Sequence, residues 1–123
     1  MPDGRILIAD DEDSLRWVLE KGFRGAGYQV TAVKDGTAAL REVEGGPFDL
    51  ILLDVRMPGI DGLSLLKQVR ANPDTAGTPF IMITAESKTE NVIAAKQAGA
   101  NNYIIKPFNA ETLKHKIEAV FTA

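Results

Sequence analysis

The chain has 123 residues, 45% of them hydrophobic and 25% charged, with a formal net charge of -3 and no cysteine. A chain of this length buries a real core, so one domain over residues 1-123 is expected, and the lack of cysteine excludes disulfides and thiolate zinc sites. No apolar run approaches the roughly 18 residues of a membrane span, no basic-then-apolar start suggests a signal peptide, and no lysine or arginine cluster is dense enough to suggest a nucleic-acid footprint. The expectation is a cytoplasmic protein that meets other proteins or small anions.

In chain order, short apolar runs alternate with segments of helical periodicity. Arg5 to Ala9 reads as the first strand, and Ser14 to Ala26 as a helix that Gly25 and Gly27 help to end. Gln29 to Val33 is the second strand, followed by a helix from Thr37 to Glu44 stopped by Gly45 and Gly46. Phe48 to Leu53 is the third strand, and Gly62 to Arg70 a helix with Leu63, Leu66 and Val69 in one stripe. A breaker-rich loop, Asn72 to Thr78, leads to a fourth strand, Phe80 to Ile83. A fourth helix runs from Ser87 or Lys88 to Ala98, Tyr103 to Ile105 forms the fifth strand, and Ala110 to Phe121 the fifth helix. Five βα units predict an α/β fold, a doubly wound parallel sheet with helices on both faces. The last helix carries Leu113, Ile117, Val120 and Phe121 on one face and so docks on the sheet.

A doubly wound sheet gathers the C-terminal ends of its strands at one edge, where ligands bind. Strand one ends in Asp10 and Asp11, with Glu12 and Asp13 behind; strand three delivers Asp54, strand four Thr84, and strand five Lys106 followed by Pro107. Asp13 reads as an N-cap for the first helix. Adjacent carboxylates repel unless a cation neutralises them, and an all-oxygen pocket suits a hard divalent ion, Mg²⁺ above all. With such an ion and Lys106 on its oxygens, a dianionic phosphoryl group fits, and Asp54 is placed to attack phosphorus and form an acyl phosphate.

The stretches IADDE, LILLDVRMPGIDG, ITA and GANNYIIKPF stand in an order and spacing that resemble the receiver domain of bacterial two-component response regulators, of the CheY-like kind. The resemblance covers essentially the whole chain. SLRWVLEK and RMPGIDGLSLLK are most similar to receivers of enhancer-binding regulators, and TAESKTENVIAAKQAGANNYIIKPF to chemotaxis regulators. The resemblance implies a five-stranded flavodoxin/CheY-like sheet of order 2-1-3-4-5 with five helices. It implies that Asp54 takes a phosphoryl group from the phosphohistidine of a sensor histidine kinase or phosphotransfer protein, and that the domain catalyses its own phosphotransfer and slow autodephosphorylation. It further implies that Asp11 and Asp54 bind Mg²⁺ directly, with Asp10 acting through water and Arg56 through its backbone carbonyl. Lys106 would pair with the phosphoryl oxygens, Thr84 would swing toward them, and the rotamer of Tyr103 would follow. The bond before Pro107 would be cis.

Phosphorylation adds about -1.5 to -2 charges and three acceptor oxygens, which Lys106 and Thr84 claim only by moving, so the expected function is a switch of surface shape. Lys88, Val92 and Lys96 lie four apart on the fourth helix and, with Tyr103, form a candidate partner patch on the surface of the fourth helix, fifth strand and fifth helix. Arg56 and Glu86, each two residues beyond a strand-end group, are expected to meet across the mouth and tune hydrolysis of the acyl phosphate. Trp17 falls off the Leu15, Val18, Leu19 stripe and reads as a half-exposed ring, and His115 as solvated surface. A flavin module would want a hydroxyl- and glycine-rich loop where Asp10 to Asp13 stand, and an aspartyl-phosphate phosphatase would want an acid at position 56, which is Arg56. A chain from Met1 to just past its last helix suggests a complete single-domain regulator of chemotaxis type. A receiver domain excised from a DNA-binding regulator of enhancer-binding type is the alternative, and both a monomer and a phosphorylation-dependent homodimer fit.

Overall fold

The computed structural model describes residues 4–54, 62–84, 93–94, 96–106 and 108–122. In chain order the elements are β1 (Arg5–Ala9), α1 (Asp13–Gly25), β2 (Gln29–Val33), α2 (Gly36–Glu44), β3 (Leu50–Asp54), α3 (Gly62–Ala71), β4 (Phe80–Thr84), β5 (Asn102–Ile105) and a C-terminal helix (Ala110–Thr122). The five strands are all parallel, in the order β2-β1-β3-β4-β5. The expected order is therefore observed. Four helices are seen among the described residues; most of the expected fourth helix lies outside them, with residues 93–94 and 96–97 helical.

The period-2 alternation of side chains sorts the sheet into two cores. Leu7, Ala9, Ile51, Leu53, Phe80, Met82 and Tyr103 face α2 and α3, meeting Ala39 and Val43 on the one and Leu65, Leu66 and Val69 on the other. Ile6, Ile8, Leu50, Leu52, Ile81, Ile83 and Ile104 face the opposite way, against Leu19 of α1 and Leu113 and Ile117 of the C-terminal helix. Because both faces are covered, the strands read as continuous apolar runs rather than as alternating ones.

Several local expectations need correction. Glu12, not Asp13, is the N-cap of α1, and it makes no side-chain capping bond. Asp13 lies in the first turn and pairs with Arg16 instead. Val18 is 56% exposed although it was placed on the buried stripe; the residues that meet the sheet are Leu15, Leu19 and Phe23, a run of i, i+4, i+8 that leaves Val18 on the flank. The third strand starts at Leu50 rather than Phe48. Phe48 is buried beneath the Arg5 guanidinium, 4.8 Å from its ring centre, and Asp49 returns the chain to β1 through Asp49 N–H to the Arg5 carbonyl at 2.8 Å. Trp17 is 58% exposed, with the Lys21 ammonium 4.7 Å from its ring centre, and His115 is exposed, both as expected. Gly27, at φ 101°, takes the left-handed turn that returns the chain from α1 to β2.

Candidate functional site

The ends of β1, β3, β4 and β5 meet at one edge, and register decides how. Ala9 pairs with Leu53 and Asp54 with Ile83, so Asp10 and Asp54 end neighbouring strands. Thr84 pairs with Ile105, which brings Lys106 just beyond it. The Lys106 N–H donates to the Thr84 carbonyl at 2.7 Å and fixes where the lysine stem begins. Asp10, Asp54 and Thr84 are buried at 0%, 5% and 1% exposure, whereas Asp11 is exposed.

Lys106 crosses the end of β4 to reach the acids. Its Nζ lies 3.0 Å from Asp54 Oδ2, 3.1 Å from Asp10 Oδ2 and 3.3 Å from Glu12 Oε2. The contacts to Asp54 and Glu12 are hydrogen bonds. The contact to Asp10 is an ion pair without hydrogen-bond alignment, which leaves Asp10 Oδ2 buried with no hydrogen-bond donor. Asp10 Oδ1 accepts from the Glu12 N–H at 2.8 Å, and the Arg16 guanidinium donates to the Asp10 carbonyl at 2.8 Å, so the backbone at this turn is held on both sides. Burial, and after it the charge of Asp54, push the Asp10 carboxyl above its ordinary range, against the Glu12 N–H and Lys106, which favour the charged form. Burial alone would lower the affinity of Lys106 for its proton, but the hydrogen bond from Lys106 to Asp54 and the charges of Asp10 and Asp54 outweigh it and push the lysine up.

Asp10, Asp11 and Asp54 each offer a carboxylate oxygen, and these oxygens lie within 4.8 Å of one another. Four carboxylates with one ammonium among them, and one buried oxygen lacking a donor, fit a hard divalent cation with oxygen ligands. The same edge can hold an anionic group between that cation and Lys106. Asp54 is then the carboxylate in position to act as nucleophile.

The sequence reading of Asp10, Asp11, Asp54, Thr84 and Lys106 as one cluster is thus brought together in space. Arg56, Glu86, Lys88, Val92 and Pro107 lie outside the described residues. Lys96 is exposed. Tyr103 is not part of an exposed patch: it is 7% exposed and packs in the cluster of Met82, Ala98 and Ala100. The cause is register, since Tyr103 pairs with Met82 and shares its inward face. That face is also the one on which Thr84 falls, so Thr84 and Tyr103 are diagonal neighbours on adjacent strands.

Glu12 was missed as a partner of Lys106. Its only signal was position, a long acid directly after the aspartate pair, and nothing local says that it spans to a residue 94 positions away. An apolar cleft of about 430 Å³ lies between α1 and the C-terminal helix and is lined by Leu15, Val18, Phe23, Phe108 and Ile117 among others. None of the clustered acids lines it.

The family model for the response regulator receiver domain matches residues 6–118. The chemotaxis protein CheY of Pseudomonas aeruginosa is 43% identical over 118 residues, covering 95% of each chain. Among solved structures, the chemotaxis response regulator CheY4 of Vibrio cholerae superposes with a TM-score of 0.90 at 35% identity, covering 96% of this chain and 98% of that one. The receiver domain of a sensor histidine kinase from Pseudomonas aeruginosa, solved with a magnesium ion coordinated in its active site cleft, gives 0.89 at 33% identity, covering 98% and 99%. Sequence, fold and the clustered strand-end acids agree, and the chain belongs to the response regulator receiver domain family.

Proposed function

We propose that the protein is a phosphorylation-activated signalling switch with Asp54 as its phosphoacceptor. The observation that carries this reading is Asp54 Oδ2 at 3.0 Å from Lys106 Nζ, beside Asp10 and Asp11, at the edge of the sheet. An Asp54 carboxylate oxygen attacks the phosphorus of a phosphohistidine on a sensor histidine kinase or phosphotransfer protein. The O–P bond forms as the P–N bond breaks, and the imidazole leaves with the bonding pair and takes up a proton. Asp10, Asp11 and Asp54, with the backbone carbonyl of Arg56, would hold Mg²⁺, which when bound supplies positive charge to the phosphoryl oxygens. Lys106 supplies the opposite side of that clamp. Water later hydrolyses the acyl phosphate, so the protein is a phosphoacceptor with slow autodephosphorylation and not an enzyme with an external product.

The new phosphoryl oxygens draw Lys106 and the Thr84 hydroxyl toward them. Thr84 and Tyr103 share one face of the sheet, so movement of the first changes the packing of the second, and the surface around β5 changes with it. That surface, with the helices on either side of β5 in sequence, would meet a downstream protein. The likeness to CheY supports a single-domain chemotaxis-type regulator acting in the cytoplasm. Intact mass after incubation with Mg²⁺ and acetyl phosphate tests the reading. Wild type with metal is expected to gain one phosphoryl group, and neither Asp54→Asn nor a sample with chelator should gain any; a gain by Asp54→Asn would move the acceptor elsewhere.

A further inference from the structure

Lys106 Nζ has three protons and three carboxylates around it, and these partners are not equivalent. The side chains of Asp10 and Asp54 are 0% and 8% exposed, and that of Glu12 is 55% exposed. Releasing either aspartate would leave a buried carboxylate without its cation, which is costly, whereas Glu12 regains water when it lets go. Its contact is also the longest of the three, at 3.3 Å.

The main chain of Glu12 is pinned while its side chain reaches out. The Glu12 N–H donates to Asp10 Oδ1 at 2.8 Å, and the Glu12 carbonyl accepts from the Arg16 N–H at 3.0 Å. From this fixed base the carboxylate spans from the start of α1 to the end of β5 and closes over the lysine. A phosphoryl group arriving at Asp54 draws the ammonium toward itself, and the contact that costs least to give up is the one to Glu12, the most exposed and the longest of the three.

We propose that Glu12 is a positioning residue for Lys106: it retains the ammonium at the mouth of the pocket until a phosphoryl group displaces it, and so slows acceptance of that group. The inference rests on the phosphoacceptor reading above. Glu12 touches neither the attacking oxygen nor phosphorus in this role and acts through the lysine alone.

The test uses the full chain with Mg²⁺ and acetyl phosphate, following incorporation by intact mass in wild type, Glu12→Gln, Glu12→Asp and Asp13→Asn. Glu12→Gln removes the charge, and Glu12→Asp keeps the charge but loses the reach. Both are expected to accept the phosphoryl group faster by about three- to fivefold, the span a half-exposed ion pair supports. Asp13, which pairs with Arg16 and not with Lys106, removes the same charge nearby, and its variant is expected to match wild type. A faster Glu12→Gln beside an unchanged Glu12→Asp would reduce the effect to charge repulsion and overturn the positioning role, as would two unchanged variants. Proton exchange of the Lys106 ammonium, read by nitrogen-15 NMR in metal-free protein, gives a second readout. Exchange should quicken in both Glu12 variants, and equal exchange overturns the hold itself. If wild type gains no phosphoryl group, the phosphoacceptor reading falls while the exchange measurement still judges the Glu12 contact.

Discussion

Asp10 is fully buried, yet one of its carboxylate oxygens meets no hydrogen-bond donor and its cation is shared with two other acids. Burial and the neighbouring Asp54 charge disfavour its ionised form, so Asp10→Asn, which removes the charge, is expected to raise stability at neutral pH by about 1 to 3 kcal/mol in metal-free protein. The pH dependence follows from the raised Asp10 carboxyl. Its folded value lies above the ordinary 3.8, so the native state takes up this proton before the unfolded chain does. The penalty of the charged form is therefore full at neutral pH and fades as pH falls through the raised value toward 3.8. Urea unfolding from neutral pH down toward pH 4 should show the advantage of Asp10→Asn shrinking with acidity. An advantage that stays constant across that range would mean that Asp10 does not titrate as its burial implies. Lys106 works in the opposite sense: its raised value contributes stability that is complete below 10.5 and is lost only as pH climbs through the folded value.

At the scale of elements, the end of the sheet remote from the acids is tied by one side chain. Arg70, in the last turn of α3, donates to the carbonyls of Gly99, Ala76 and Thr78 and to Asn101 Oδ1, and its guanidinium lies 5.7 Å from the ring centre of Phe80. Asn101 Oδ1 also accepts from the Phe80 N–H at 2.8 Å, so α3, the start of β4 and the turn into β5 are held in one knot. Gly99 at φ +107° belongs to that knot, because a Cβ there would stand 2.9 Å from Arg70 Nε as well as straining the backbone. Arg70→Lys keeps the charge but not the planar fork, and it is expected to cost about 2 kcal/mol of unfolding free energy, close to Arg70→Ala. A lysine variant as stable as wild type would show that charge alone suffices.

The elements themselves were largely legible, because buried parallel strands write themselves as apolar runs such as RILIA and FIMIT. What escaped was set by partners distant in sequence. Val18 turned outward because the sheet contacts Leu15, Leu19 and Phe23, and the Arg70 knot joins residues 29 and 31 positions apart that no local pattern connects. The acids and the lysine of the site could be gathered from the rule that strand ends share an edge. The hold of Glu12 on Lys106 could not, since it depends on how far one flexible side chain reaches in three dimensions.

For the whole molecule, strand order makes the site and also makes it costly. Placing β1 beside β3 sets two buried aspartates side by side, and Lys106 has to cross β4 to reach them. Like charges so placed repel, and one lysine does not balance Asp10, Asp11, Glu12 and Asp54, so a cation bound there should stabilise the entire fold. At free Mg²⁺ about a hundred times its Kd, mass action adds about 2.7 kcal/mol, a rise in Tm of the order of 10 °C for a chain of this size. Calorimetric scans with Mg²⁺ and with chelator measure the rise directly, and equal midpoints would remove the cation from this account. Two variants locate it. Asp11 is exposed, so Asp11→Asn should leave metal-free stability nearly unchanged while losing most of the Mg²⁺-dependent rise. Asp10→Asn should begin more stable without metal and gain less with it, since the repulsion that the cation relieves is already gone. A variant that lost the rise through general damage would instead start lower in both conditions, so the metal-free midpoint separates a ligand from a structural residue.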